Sequence, residues 1–348
     1  MQLLINNIKK EDVLTSYNFA RSCDFIYAEA LTPKQFEKYK NNNQRIYHES
    51  ERMVIYKNTK YVIKEGDIIF CHTDFIPNLF SDFRQVSNLS NLTLLTNQTD
   101  TMIQKKLFKK LPSCFSNWYS INIDLENTKL ISIPLGLSND YSPKNLKSSD
   151  YQNLEDYLDV ENISMYINFR NTNFKERELL YSKFENFDWV TSEKPKSDIN
   201  EYLNKLSKHT FVLSPWGNGV DTHRIWETLY AGSIPITKNH TTFSNVKDLP
   251  IMFVESYDEI TFENLNKFVK TLNKEKFYSE KLKVDYWTKL MRGNSSYNGE
   301  ATIINEQKFV NLYLDNIRKI NHKYKSYIKK LIFQFRKIKK IKKFIKNI

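Results

Sequence analysis

A guanidinium and a carboxylate three residues apart, set just behind two glycines, stand out in the stretch 211–237, FVLSPWGNGVDTHRIWETLYAGSIPIT. This one stretch holds three of the chain's seven glycines and two of its nine prolines. Gly217 and Gly219 let the backbone turn sharply and come close to a ligand. If a helix starts near Asp221, its unpaired N–H groups point into the same loop, and such a helix start behind a parallel strand favours an anion. Arg224, in the first turn, can then pair with phosphate oxygens. Glu227 shares its face at i+3 and can accept the two hydroxyls of a ribose. The same pattern also fits a plain turn followed by a surface Arg–Glu pair, since two glycines alone are a weak signal.

The elements needed to position this loop are legible around it. FVLSP (211–215) reads as a strand, DTHRIWETLYAG (221–232) as a helix closed at Gly232, and SIPIT (233–237) as the next strand. Upstream, ISMYINF (163–169) and DWVT (188–191) read as strands. NTNFKERELLYSKF (171–184) and SDINEYLNKLSKH (197–209) read as helices, the latter with Ser197 as N-cap. The first half repeats the alternation: YVIKEGDIIFCH (61–72), LTLLTNQTD (92–100) and KLISIPLGL (129–137) contain apolar strands, and the polar piece 138–153 reads as a linker. The expected fold class is α/β, in three parts: residues 1–150, residues 151–300, and a C-terminal segment 301–348.

Of 52 basic residues, 13 lie between Arg318 and Ile348, where there is no acidic one; the rest of the chain holds 39 against 40 acidic. The net charge of +12 is therefore a property of the tail, which argues against nucleic-acid binding by the body. A non-catalytic nucleic-acid binder acting through the tail is the rival reading. Ile320, Tyr324, Ile328, Leu331, Phe335, Ile338, Ile341 and Ile345 step by three or four along a Lys-rich segment. That spacing predicts a basic amphipathic helix, with residues 319–348 on an anionic membrane surface and 301–317 packing back on the first half. The three cysteines fit no disulfide or zinc spacing, and the N-terminus resembles neither signal nor span, so the expected location is cytoplasmic, on the inner membrane face.

The stretch SPWGNGVDTHRIWETLYAGSIPI resembles the signature of exostosin-like glycosyltransferases, in which Ser-Pro-x-Gly-Asn precedes Asp-x-x-Arg-x-Trp-Glu-Ala-Leu and Gly-x-Ile-Pro. A more distant similarity is to α1,3-fucosyltransferases. The resemblance implies a GT-B fold, two Rossmann-like domains facing across a cleft, with acceptor binding in 1–150 and donor binding in 151–300. It implies that Arg224 binds the pyrophosphate of a nucleotide-diphosphate sugar, Glu227 the ribose, and that Gly217, Asn218, Gly219, Asp221 and Thr222 form the donor loop. The implied activity is transfer of a hexosyl or fucosyl group to a hydroxyl of a cell-envelope or surface glycan, with a lipid-linked acceptor. Thr228 stands where relatives often have Ala.

Arg170, at the end of the 163–169 strand, and Arg177, on the helix that follows, are each either a further phosphate contact or an ordinary surface residue. His72, Asp74 and Asp100 follow apolar strands of the first half. Each is either a base for the acceptor hydroxyl or a cap. Asp221 and His223 are too few to hold a metal; with GT-B enzymes generally needing none, the expectation is no metal and no cofactor beyond the nucleotide-sugar co-substrate.

Overall fold

The computed structural model describes residues 4–320, apart from 85, 144, 152–153, 155–161, 171–174, 196–197 and 294–298. The amphipathic helix expected in the tail thus falls, from residue 321 on, outside the described residues. The first half contributes strands β1 (Phe25–Leu31), β2 (Gln44–Glu49), β3 (Val54–Asn58), β4 (Lys60–Ile63), β5 (Ile68–His72), β6 (Leu92–Asn97), β7 (Phe115–Ser120) and β8 (Leu130–Ser132). The second contributes β9 (Met165–Ile167), β10 (Val190–Ser192), β11 (Phe211–Leu213), β12 (Ile234–Lys238) and β13 (Met252–Val254), with β14 (Thr302–Asn305) after it.

Burial explains the sheet order. β5 and β6 are buried at every residue, as central strands of a parallel sheet require. They lie mid-sheet in the order β2-β3-β1-β5-β6-β7-β8, where β1, β5, β6, β7 and β8 run parallel. β2 and β3 form an antiparallel edge, and β2 is half-exposed. The second sheet, β10-β9-β11-β12-β13, is parallel throughout. Its strand order reverses at β9 and β11, and in such sheets the crevice beyond the carboxyl ends at that reversal is where ligands bind.

After the second sheet the chain returns to the first. Arg292, at the end of the helix Val284–Arg292, pairs with Asp24 at 3.0 Å. β14 then pairs antiparallel with β4, and a helix over 308–320 follows. A buried charge cluster fastens this return. The fully buried Lys57 Nζ lies 2.6 Å from Glu306 and 3.8 Å from Asp82, and Tyr27 and Tyr61 donate to the same Asp82 oxygen.

The halves share one apolar cluster, in which Leu14, Leu137 and Tyr151 join Trp226, Tyr230 and Leu282. Within it the Leu14 N–H donates to Tyr230 Oη at 3.1 Å, and that hydroxyl donates to the Leu282 carbonyl at 2.7 Å.

Candidate active site

The helix His223–Tyr230 begins where the sequence places it, and its end shows why Gly232 is there. Gly232 has φ +78; its N–H reaches the Leu229 carbonyl and the Ser233 N–H the Thr228 carbonyl, a left-handed cap that stops the helix. The neighbouring helix Ile199–Lys208 is capped by Asp198, whose side chain accepts from the Glu201 N–H at 3.0 Å; Ser197 lies outside the described residues. These helix starts and the carboxyl ends of β9 and β11 enclose a cleft of about 720 Å³, facing the first unit. That volume suits a ligand larger than a single sugar or phosphate.

Arg170, Arg177, Gly217, Asn218, Gly219, Asp221, Thr222, Arg224, Glu227 and Asp100 all line this cleft. His72 and Asp74 do not. His72 is 5% exposed at the end of β5, its Nδ1 accepting from the Asp74 N–H at 3.4 Å. The helix over 308–320 covers that end, with the Arg318 guanidinium 3.9 Å above the Phe75 ring.

Arg177 is held more firmly than its sequence context suggests. Its Nε and Nη2 donate to the Trp216 and Pro215 carbonyls at 2.9 Å each, and Nη1 to the Arg170 carbonyl at 3.2 Å. A guanidinium has a rigid fork of donors, so three carbonyls fix its orientation. Arg224 approaches the same Phe169 ring, the two guanidinium carbons lying 5.5 and 5.9 Å from its centroid. Among the described residues neither arginine forms an ion pair with a carboxylate, and Arg224 Nε is buried without a hydrogen-bond partner. Burial and the Arg224 charge pull Arg177 down to about 10. At Arg224 burial also works against the charge, but Tyr202 and Glu227 outweigh it and hold the group above its ordinary value.

Glu227, 4% exposed, accepts from Tyr202 Oη at 2.9 Å through Oε2. Its Oε1 has no partner among the described residues and remains for a ligand. Asp221 is occupied within the protein. It accepts from the Leu135 N–H and Trp226 Nε1–H, each at 2.8 Å, and burial against these bonds pushes its carboxyl up to about 7. It ties the loop 217–222 to the first unit. The glycines likewise make room for side chains: a Cβ on Gly217 would sit 3.2 Å from Arg177 Nη2, and one on Gly219 would sit 2.7 Å from Asn122 Nδ2. Asn122 and His223 went unassigned in the sequence because their partners are distant: Asn122 Oδ1 accepts from the Asp221 N–H, and His223 bonds the Gly136 carbonyl.

Residues 163–313 match the family model described as the RXYLT1 C-terminal domain. No curated protein matches the chain. Among solved structures, an α1,3-fucosyltransferase aligns with a TM-score of 0.33 at 13% identity, over 66% of this chain and 80% of that one. AviGT4, a glycosyltransferase involved in avilamycin A biosynthesis, aligns with a TM-score of 0.33 at 8% identity, over 66% and 86%. Two largely parallel α/β sheets facing across a cleft form a GT-B architecture, and its second unit, with the helix that follows, is what resembles the RXYLT1 C-terminal domain over 163–313.

Proposed function

We propose that the cleft binds a nucleotide-diphosphate sugar and that the enzyme transfers its hexosyl or fucosyl group to a hydroxyl of a cell-envelope or surface glycan. One observation carries the reading: two partly buried guanidiniums, Arg177 and Arg224, share the Phe169 ring, with Glu227 as a nearby charge on Arg224 but no ion pair to a carboxylate among the described residues. Two adjacent cations repel each other unless a divalent anion lies between them, and a diphosphate supplies that charge with bidentate acceptors. The start of the helix His223–Tyr230 adds its N–H groups, and Glu227 Oε1 takes the ribose. Asp100 marks the acceptor side. The leaving diphosphate is stabilised by the same arginines, with no protein-bound metal or cofactor called for in this reading.

Thermal shift and calorimetry with UDP, GDP and CMP against an oligonucleotide panel test it. Saturable binding of a nucleoside diphosphate is expected. Binding of oligonucleotides alone would instead favour the nucleic-acid reading. The acceptor class and the inner-membrane location rest on the basic tail. No helix among the described residues is long and apolar enough to cross a membrane. Full-length protein should sediment with anionic vesicles at low salt and be released as salt rises, whereas protein lacking 319–348 should stay in the supernatant. Equal sedimentation of both would remove the tail from the account.

A further inference from the structure

The acceptor hydroxyl must give up a proton, and one group in the cleft is prepared to take it. His223 Nδ1 lies 2.8 Å from the Gly136 carbonyl. A carbonyl only accepts, so Nδ1 carries the hydrogen, and in the neutral ring the lone pair belongs to Nε2. Gly136 presents that carbonyl from φ +73, at a point where a Cβ would lie 2.1 Å from the Leu14 carbonyl oxygen. Nε2 has no hydrogen-bond partner among the described residues.

The position of the ring is the second observation. Beside the donor cleft lies a smaller cavity of about 170 Å³ at the carboxyl edge of the first sheet. The two spaces share Asp100, Leu135, Tyr141, Ser142 and His223, of which His223 alone comes from the second unit. The smaller cavity also holds an unmet donor. Asn97, fully buried, accepts from the Gln98 N–H through Oδ1 and leaves Nδ2 buried without a partner. A sugar hydroxyl oxygen satisfies that group.

Building on the donor reading above, we infer that His223 Nε2 is the base that takes the proton of the acceptor hydroxyl, the acceptor's terminal sugar lying in the smaller cavity. The hydroxyl oxygen attacks the anomeric carbon, and the new C–O bond forms as the bond from that carbon to the diphosphate oxygen breaks. The electron pair leaves with the nucleoside diphosphate toward Arg177 and Arg224, and the proton passes to Nε2. A single displacement inverts the anomeric centre. Burial keeps the imidazole below its ordinary pKa, so it is neutral at pH 7; Glu227 and Asp100 favour the imidazolium that forms, and Lys147 opposes it.

His223→Asn tests this, because its amide can keep the bond to the Gly136 carbonyl while removing the distal nitrogen. Calorimetry should show unchanged affinity for UDP or GDP. The slow release of nucleoside diphosphate from UDP- and GDP-hexoses, with water as acceptor, should fall ~10²–10⁴-fold. Sodium azide, an anion with no proton to lose, should restore release. Nitrogen NMR of the wild-type protein should find Nδ1 protonated and Nε2 bare at pH 7, whichever hexose is turned over. Unchanged hydrolysis in the variant, no rescue by azide in a variant that binds nucleotide, or a proton on Nε2 would overturn the assignment. Absence of nucleoside-diphosphate binding by the wild-type protein would overturn the donor reading instead.

Discussion

The molecule sets cations into its interior in two places and treats them in opposite ways. Lys57, fully buried, sits between Glu306 and Asp82; Asp82 also accepts from Tyr27, Tyr61, Asn311 and the Gln307 N–H, and Glu306 from Arg45. Arg177 and Arg224 sit beside each other on an aromatic ring, held by carbonyls and a tyrosine, and facing open space. Charges paired inside a fold serve the fold. Two like charges side by side, offset by only one nearby carboxylate, Glu227, raise the energy of the empty site and favour whatever anion enters it.

The largest effect that separates the two clusters is on stability. Lys57→Met should leave Asp82 buried without a cation, with Glu306 keeping only Arg45, and lower the unfolding free energy by ~3–5 kcal/mol in urea titrations. Nucleoside-diphosphate affinity should persist in whatever remains folded. Arg224→Ala should do the reverse, weakening nucleoside-diphosphate binding by ~1.5–3 kcal/mol, the scale of a hydrogen bond to a charged group. Its unfolding midpoint should move less than that of Lys57→Met. If calorimetry instead finds equal affinity in a folded Arg224→Ala protein, the arginine pair is structural and the contrast collapses. The smallest effect is the sharpest. Glu227→Gln keeps an acceptor for Tyr202 but loses the charge offered to a ribose, so affinity should fall by ~1 kcal/mol or less. Wild-type protein should prefer UDP or GDP to the 2′-deoxy form, and the variant should lose most of that preference. An unchanged preference would move Glu227 out of the ribose site.

What could be read in advance divides along the same line. The motif helix, its glycine stop and the flanking strands were legible because their signals are local: apolar runs, a 3.6-residue spacing, and Gly232 where φ is positive. The strands β1, β7 and β14 and the antiparallel pair β2–β3 went unread; β2, QRIYHE, carries too little apolar character and draws its pairing from β3. In the cleft, Arg224 and Glu227 were visible because they share one helix. The hold on Arg177 is not legible along the chain, since its three carbonyls belong to residues 7 to 39 positions away. His223 looked only like an inadequate metal ligand. Its tautomer is set by Gly136, and no pattern along the chain joins residues 87 apart.

The helix His223–Tyr230 has one further consequence, for anyone who would divide the protein. Its first turn faces the cleft, while Trp226 and Tyr230 belong to the apolar cluster completed by Leu14 and Leu137, and Asp221 just before it binds the Leu135 N–H. A fragment starting in the linker and containing only the second sheet would carry the whole binding motif, yet it would bare that surface to water. Such a piece is expected to aggregate rather than to serve as a minimal donor-binding module. The two halves would have to be produced together, or on one chain, for either to be soluble.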